Sequence, residues 1–229
     1  MARRGGSPPV NICIIEEKCL GVRVPEKVTT DIARLLAQLG KEAKDVRFVQ
    51  HRPEPESEQN DCFPTVQHKI DADGGKMILG WQIWQTVLLV EAEFHAVWEG
   101  PNGEWFDLTP KPFELEQIYF LSDSTLSYNG AQRNNVRLNI TSNSIVDEYI
   151  AIHDIIFSMM NRGQRAFQYK LTLKGREAQA HQYLNNMKPI LEGMAFSGLT
   201  RQNQCPCGQG KKYKACHGKK LSRILNEYK

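Results

Sequence analysis

An α+β fold is predicted by three features of the sequence: strand-like runs of apolar and aromatic residues between positions 76 and 122, helical apolar spacing in two long stretches after Ser142, and a cysteine-rich C-terminal segment unlike either. The 229 residues, 41% of them hydrophobic, can bury one full core with something left over. The expected layout is an α+β body over residues 1–140, a helical segment packed on it over 141–198, and a tail over 201–229.

Taken in order, the N-terminal residues read as a loose lead-in with a short strand at ICII. In VPEKVTTDIARLLAQLG, Ile32, Leu35, Leu36 and Leu39 recur at helical spacing and Gly40 is a stop. VRFVQ is a strand, and the proline-rich, acidic RPEPESEQND a loop. In NDCFPTVQHKIDADGG, Asn60 or Asp61 caps a short helix, Pro64 falls near its first turn, and Cys62 therefore lies at a helix N-terminus. KMILGWQIWQT and LLVEAEFHAVW form two strands, GPNG turns the chain, EWFDLTP returns and QIYFL adds another, giving a small antiparallel sheet. Trp81, Trp84, Trp98 and Trp105 crowd this region as core and cleft walls. SIVDEYIAIHDIIFSMMNRG and KGREAQAHQYLNNMKPILEGM are amphipathic helices, the second bent or divided at Pro189.

No apolar run reaches the roughly 20 residues that cross a bilayer, and the N-terminus lacks the apolar stretch of a signal peptide. A cytoplasmic protein with no membrane partner is expected. Its six cysteines then read as reduced thiols or metal ligands, and Cys13 and Cys19 as structural thiols. The formal charge of +3 hides an asymmetry, because residues 201–229 hold eight Lys/Arg against one acid, Glu227. Such a surface suits an acidic protein partner, or RNA phosphates with salt-sensitive affinity.

CPCGQGKKYKACHG places Cys205, Cys207, Cys216 and His217 together: three thiolates and one imidazole, the number and type that a closed tetrahedral zinc site takes. Soft sulfur favours Zn2+ over calcium or magnesium, and Gly208 and Gly210 let the chain double back between the ligand pairs. Four protein ligands leave no open position for water, so the site should be structural. CPCG, GKKYK and CHG resemble the SEC-C motif, found at the C-terminal end of the translocase motor SecA and in many unrelated bacterial proteins. The resemblance covers about the last 25 residues and implies a zinc-dependent docking module for a protein partner, with ribosome contact a further implication. No GxxxxGK[ST] phosphate loop accompanies it.

In the body, a cysteine opening a helix gains thiolate character from the helix dipole, a histidine can act as its base, and a carboxylate can fix the imidazole tautomer. Cys62, His95 and Asp107 stand in that order, with Asn60, Gln59 or the Cys62 backbone N–H as oxyanion donor. Alternation puts Ala92, Phe94, Ala96 and Trp98 on the core face of their strand and His95 on the polar face. A turn centred on Pro101 sets Asp107 directly opposite His95; one centred on Asn102 sets it a diagonal step away on the same face. A second metal site at Cys62, His68 and His95 lacks a recognisable ligand spacing. HAVWEGPNGEWFDLTP resembles the transglutaminase pattern, and the Cys, His, Asp order resembles the wider papain-like and transglutaminase-like superfamily. The asparagine-aspartate-cysteine, glycine-tryptophan and histidine-alanine-valine-tryptophan series is similar to an uncharacterised group of bacterial SEC-C proteins. The superfamily resemblance implies a cysteine-dependent amide hydrolase or acyltransferase; the alternative is a non-enzymatic adaptor docking to a protein or ribonucleoprotein through its zinc tail.

Overall fold

The structure, a computed structural model, describes residues 21–168 and 170–229, so ICII, Cys13 and Cys19 lie outside the described residues. The chain divides into two compact units, one of residues 22–85 with 90–138, the other of residues 139–229 with the turn Thr86–Leu89. The class is mixed α+β.

In the first unit, helix α1 (Thr30–Gln38) is capped by Thr29, whose hydroxyl accepts from the Ile32 N–H at 3.3 Å. It buries Ile32, Leu35 and Leu36 and stops before Gly40 in the left-handed region. Strand β1 (Val46–His51) precedes helix α2 (Cys62–Asp73), which Asp61 enters at the capping position without a side-chain cap bond. Then come β2 (Lys76–Gln85), β3 (Leu89–Glu99), β4 (Trp105–Asp107), β5 (Gln117–Ser122) and β6 (Val136–Asn139).

The small antiparallel sheet expected from the sequence is instead a closed barrel: β2, β5, β1, β4 and β3 pair in that order, β3 returns to β2, and β6 adds beside β3. Five strands cannot alternate direction all the way round a ring, so one seam must be parallel. That seam joins β1 and β4, with His51 level with Asp107 and Gln50 with Phe106. Local sequence shows strand segments but not how many close the ring. β6 was not expected either; its four half-buried residues offer too little alternation to mark a strand.

Closure reverses the polarity assigned to β3. The face carrying His95 and Val97 points into the barrel, where Val49, Val97, Ile118 and Phe120 form a solvent-free cluster. The other face, with Ala92, Phe94 and Ala96, is buried as well, so β3 is covered on both sides. Helix α2 covers part of that outer face: Phe63 meets Phe94 at 5.0 Å between ring centroids, and the Trp98 indole donates to the Gly74 carbonyl at 2.9 Å. Gly80 admits the crossing of β2 over β5, since a Cβ there would stand 2.1 Å from the Leu121 carbonyl oxygen.

In the second unit, α3 (Ser144–Asn161) starts at Asn143, which accepts from the Ile145 N–H, and buries Ile145, Tyr149, Ile152, Ile156 and Met159 among others. It packs against α4 (Gly175–Phe196), which runs as a single helix through Pro189. A last helix, α5 (His217–Tyr228), turns Leu221, Ile224 and Leu225 inward. Twelve residues of basic sequence are too short to announce a helix that packing alone stabilises. Among the described residues no helix is long and apolar enough to cross a membrane.

Candidate functional site

Two clusters of chemistry-bearing side chains stand out, one in each unit. In the second, an antiparallel bridge between Gln204 and Lys212 begins a tight loop in which the Cys205 N–H donates to the Lys211 carbonyl at 2.8 Å. Gly208 and Gly210 sit at φ +76° and +70°, where only glycine is unstrained, in the turn that brings Lys211 back to Cys205. A short turn, Tyr213–Ala215, then delivers Cys216 and His217 at the start of α5.

The four ligand atoms lie within 4.8 Å of one another. Cys205 Sγ is 3.1 Å from His217 Nδ1, and Cys216 Sγ is 3.5 Å from both His217 Nδ1 and Cys207 Sγ. The edge of a tetrahedron around an ion with bonds of about 2.3 Å is about 3.7 Å, so these residues can hold one metal ion with little movement. Among the described residues no other group of His, Cys, Asp or Glu does so; His68 is exposed and does not join Cys62 and His95.

The loop is fixed from beneath. Tyr213, fully buried, donates its hydroxyl to Glu148 of α3 at 2.8 Å, and Arg201 pairs with the same carboxylate. Gly218 gives the Tyr213 ring room, since a Cβ there would stand 2.7 Å from Tyr213 Cε1. Outward stand Lys211, Lys212, Lys214, Lys219 and Lys220, all exposed.

In the first unit, His95 and Asp107 meet inside the barrel. The β3 to β4 register pairs Trp98 with Phe106 and Glu99 with Trp105, so the turn centres on Asn102 and Asp107 lies one diagonal step from His95 on its face. His95 Nε2 is 2.8 Å from Asp107 Oδ1. Three further groups, none read from the sequence as functional, converge on this carboxylate: His51 Nδ1 at 3.0 Å, Lys111 Nζ at 3.3 Å and the Thr109 N–H at 3.2 Å. Lys111 also donates to Gln82 at 2.8 Å. His51 arrives across the parallel seam, which local pattern cannot reveal; Lys111 had a faint signal, four residues after Asp107 in a turn.

Asp107 is wholly buried. Burial works against its charge, but Lys111 and His95, with hydrogen bonds from His51 and His95, outweigh it and hold the carboxyl well below the usual carboxylate range. An ionised carboxylate only accepts, so both imidazoles donate to it. The other ring nitrogen of His95, Nδ1, is the one that does not face Asp107.

Cys62 is 4% exposed. Burial pushes its thiol up to about 12, against the downward pull of the Ala96 backbone N–H and the charge of Lys111. No hydrogen bond joins it to His95. The thiol sits against the N–H of Ala96, the residue after His95, and within reach of the charges of Lys111, Glu93 and Asp107. Asn60 precedes the helix at φ +67°, half-buried.

Comparison with known proteins adds one region. Thirty residues, 13% of this chain, are 53% identical to the protein translocase subunit SecA of Bifidobacterium adolescentis, of which they span 3%. No family model matches the chain, and no solved structure does.

Purified protein should carry one metal ion per chain by elemental mass spectrometry, and Cys205→Ser should lose it; an unchanged content would remove these residues as ligands. Asp107→Asn, which leaves Lys111 without its charged partner, should cost about 3–5 kcal/mol in denaturant unfolding at neutral pH. Because the folded carboxyl is depressed, the stability from Asp107 is complete above its unfolded value of about 4 and lost as pH falls through the folded one. The acid limb of the wild-type stability curve should therefore be shallower in Asp107→Asn.

Proposed function

We propose that the chain is a docking adaptor whose working end is the C-terminal metal module, with zinc as the metal and an acidic protein surface as the partner. The observation that carries this reading is the closed set of four ligands within 4.8 Å, surrounded by exposed lysines and anchored through Tyr213 to Glu148. Three sulfurs and an imidazole select zinc, and four protein donors leave no position for substrate, so the ion supplies structure rather than catalysis. The metal fixes a loop with almost no core of its own, and the loop in turn presents its charge in one arrangement. The likeness to SecA over these residues supports a docking role. A soluble polyglutamate should bind the full chain with salt-dependent affinity, and chelating the metal or ending the chain at residue 200 should weaken binding at least roughly tenfold. Binding unaffected by chelation would overturn the role of the metal, and stronger binding of poly(U) at equal charge would move the partner to RNA.

A second reading, a cysteine-dependent amide hydrolase or acyltransferase with a papain-like or transglutaminase-like body, is supported by the bond from His95 Nε2 to Asp107, with Nδ1 the nitrogen that does not face the carboxylate, and by the Cys62 thiol on the N–H of the next residue, Ala96. In it Cys62 attacks a carboxamide or peptide carbonyl, His95 takes the thiol proton and returns it to the leaving amine, Asp107 orients the ring, and Asn60 is a candidate donor to the oxyanion. Alkylation of Cys62 followed by mass spectrometry across pH decides it. A wild-type rate well above that of His95→Ala at neutral pH is the outcome it requires; equal rates would leave Cys62 and His95 as scaffold.

A further inference from the structure

Beside Cys62 an aromatic group packs on the outer face of the barrel. Phe63, the next residue on α2, lies face to face with Tyr128, with ring centroids 3.8 Å apart and planes 8° from parallel. Phe94 borders both rings, at 5.0 Å from Phe63 and 6.4 Å from Tyr128, and Trp81 stands 5.8 Å from Phe94. The Arg133 guanidinium sits 5.7 Å over the Phe94 ring. Burial raises the Tyr128 hydroxyl, and Cys62 and Asp61 lie close enough to add to the shift. Trp81 is 6% exposed, and its indole N–H is buried without an acceptor.

Tyr128 is mounted differently from the other rings. Phe63, Phe94 and Trp81 sit on regular elements, whereas Tyr128 lies on the irregular segment between β5 and β6. That segment is tied down at its two ends. At one, Asp123 pairs with Lys41 at 2.6 Å and accepts from Thr125; at the other, Asn135 donates to Glu91 at 2.7 Å. Its middle is held by the Tyr128 and Arg133 ring contacts, with Gly130 at φ +92° beside them. A segment fixed at both ends and stacked between them opens locally more easily than a strand or helix.

We propose that Cys62 borders an aryl-binding slot for a phenol-bearing ligand, and that Tyr128 is its displaceable internal occupant. Offset stacking on Phe63 recognises a flat ring in a way that an aliphatic group of equal volume does not reproduce. The proposal goes beyond both functional readings and requires neither, since it is read from access to the thiol and not from turnover.

Iodoacetamide labelling of Cys62 in the full chain, resolved from the metal-site cysteines by mass spectrometry, tests it. Tyr128→Ala should raise the rate at least roughly tenfold, while Tyr128→Phe, which keeps the stack, should leave it within about twofold. Tyr128→Leu preserves volume and guards against a folding defect in the alanine variant; it too should label faster than Tyr128→Phe. In the opened variants millimolar p-cresol should protect Cys62 and 4-methylcyclohexanol should not. Equal labelling of all three variants, or equal protection by the two alcohols, would overturn the slot. His95→Ala in the Tyr128→Ala background tests the cysteine-dependent reading separately, because only that reading requires it to slow labelling at neutral pH.

Discussion

The parallel seam between β1 and β4 is the constraint on which the barrel's interior depends. A ring of five strands has to place two neighbours in the same direction, and here the seam sets His51 level with Asp107. The hairpin from β3 brings His95 to the same carboxylate from the other side, and the turn that follows β4 supplies Lys111. A carboxylate taken fully out of water is tolerable only with such company, because its desolvation must be offset by donors and opposite charge already in place. The polar cluster thus specifies one closure of the ring: sliding β4 by one residue would turn Asp107 outward and leave Lys111 and two imidazoles without their acceptor.

The second unit is organised by a different economy of interactions. Its metal loop has one large buried residue, Tyr213, and sends it to a carboxylate on α3 that Arg201 also engages. An ion held by the four clustered side chains would do the work that an apolar core does elsewhere. With such an ion the loop could carry many outward lysines, whose mutual repulsion would otherwise favour opening.

These two arrangements bear on function in opposite ways. Four protein donors around one ion would leave it no open position for chemistry, and lysines make up much of the surface around them. Inside the barrel, the His95 to Asp107 pair has an orientation that would suit acid–base work, yet the thiol that would use it is buried, next to a residue whose ring is stacked. Access to Cys62 is governed by one irregular segment, and the residue that controls it is Tyr128.

The sequence by itself determined whatever is encoded within a few neighbouring residues. The cluster of Cys205, Cys207, Cys216 and His217 was legible because a site that could hold a metal demands particular atoms at short spacing, and the principal strands and helices because apolar period reflects backbone geometry. Cys62 at the start of α2 was legible for the same reason, and the hairpin was narrowed to registers that the Asn102 turn then resolved. Only the tertiary structure decided that the sheet closes, that His95 faces inward, that His51 and Lys111 share Asp107, and that Tyr128 covers Phe63 beside the thiol. Each of these joins segments far apart in the chain, and burial on both faces of β3 erases the alternation that would otherwise have told inside from outside.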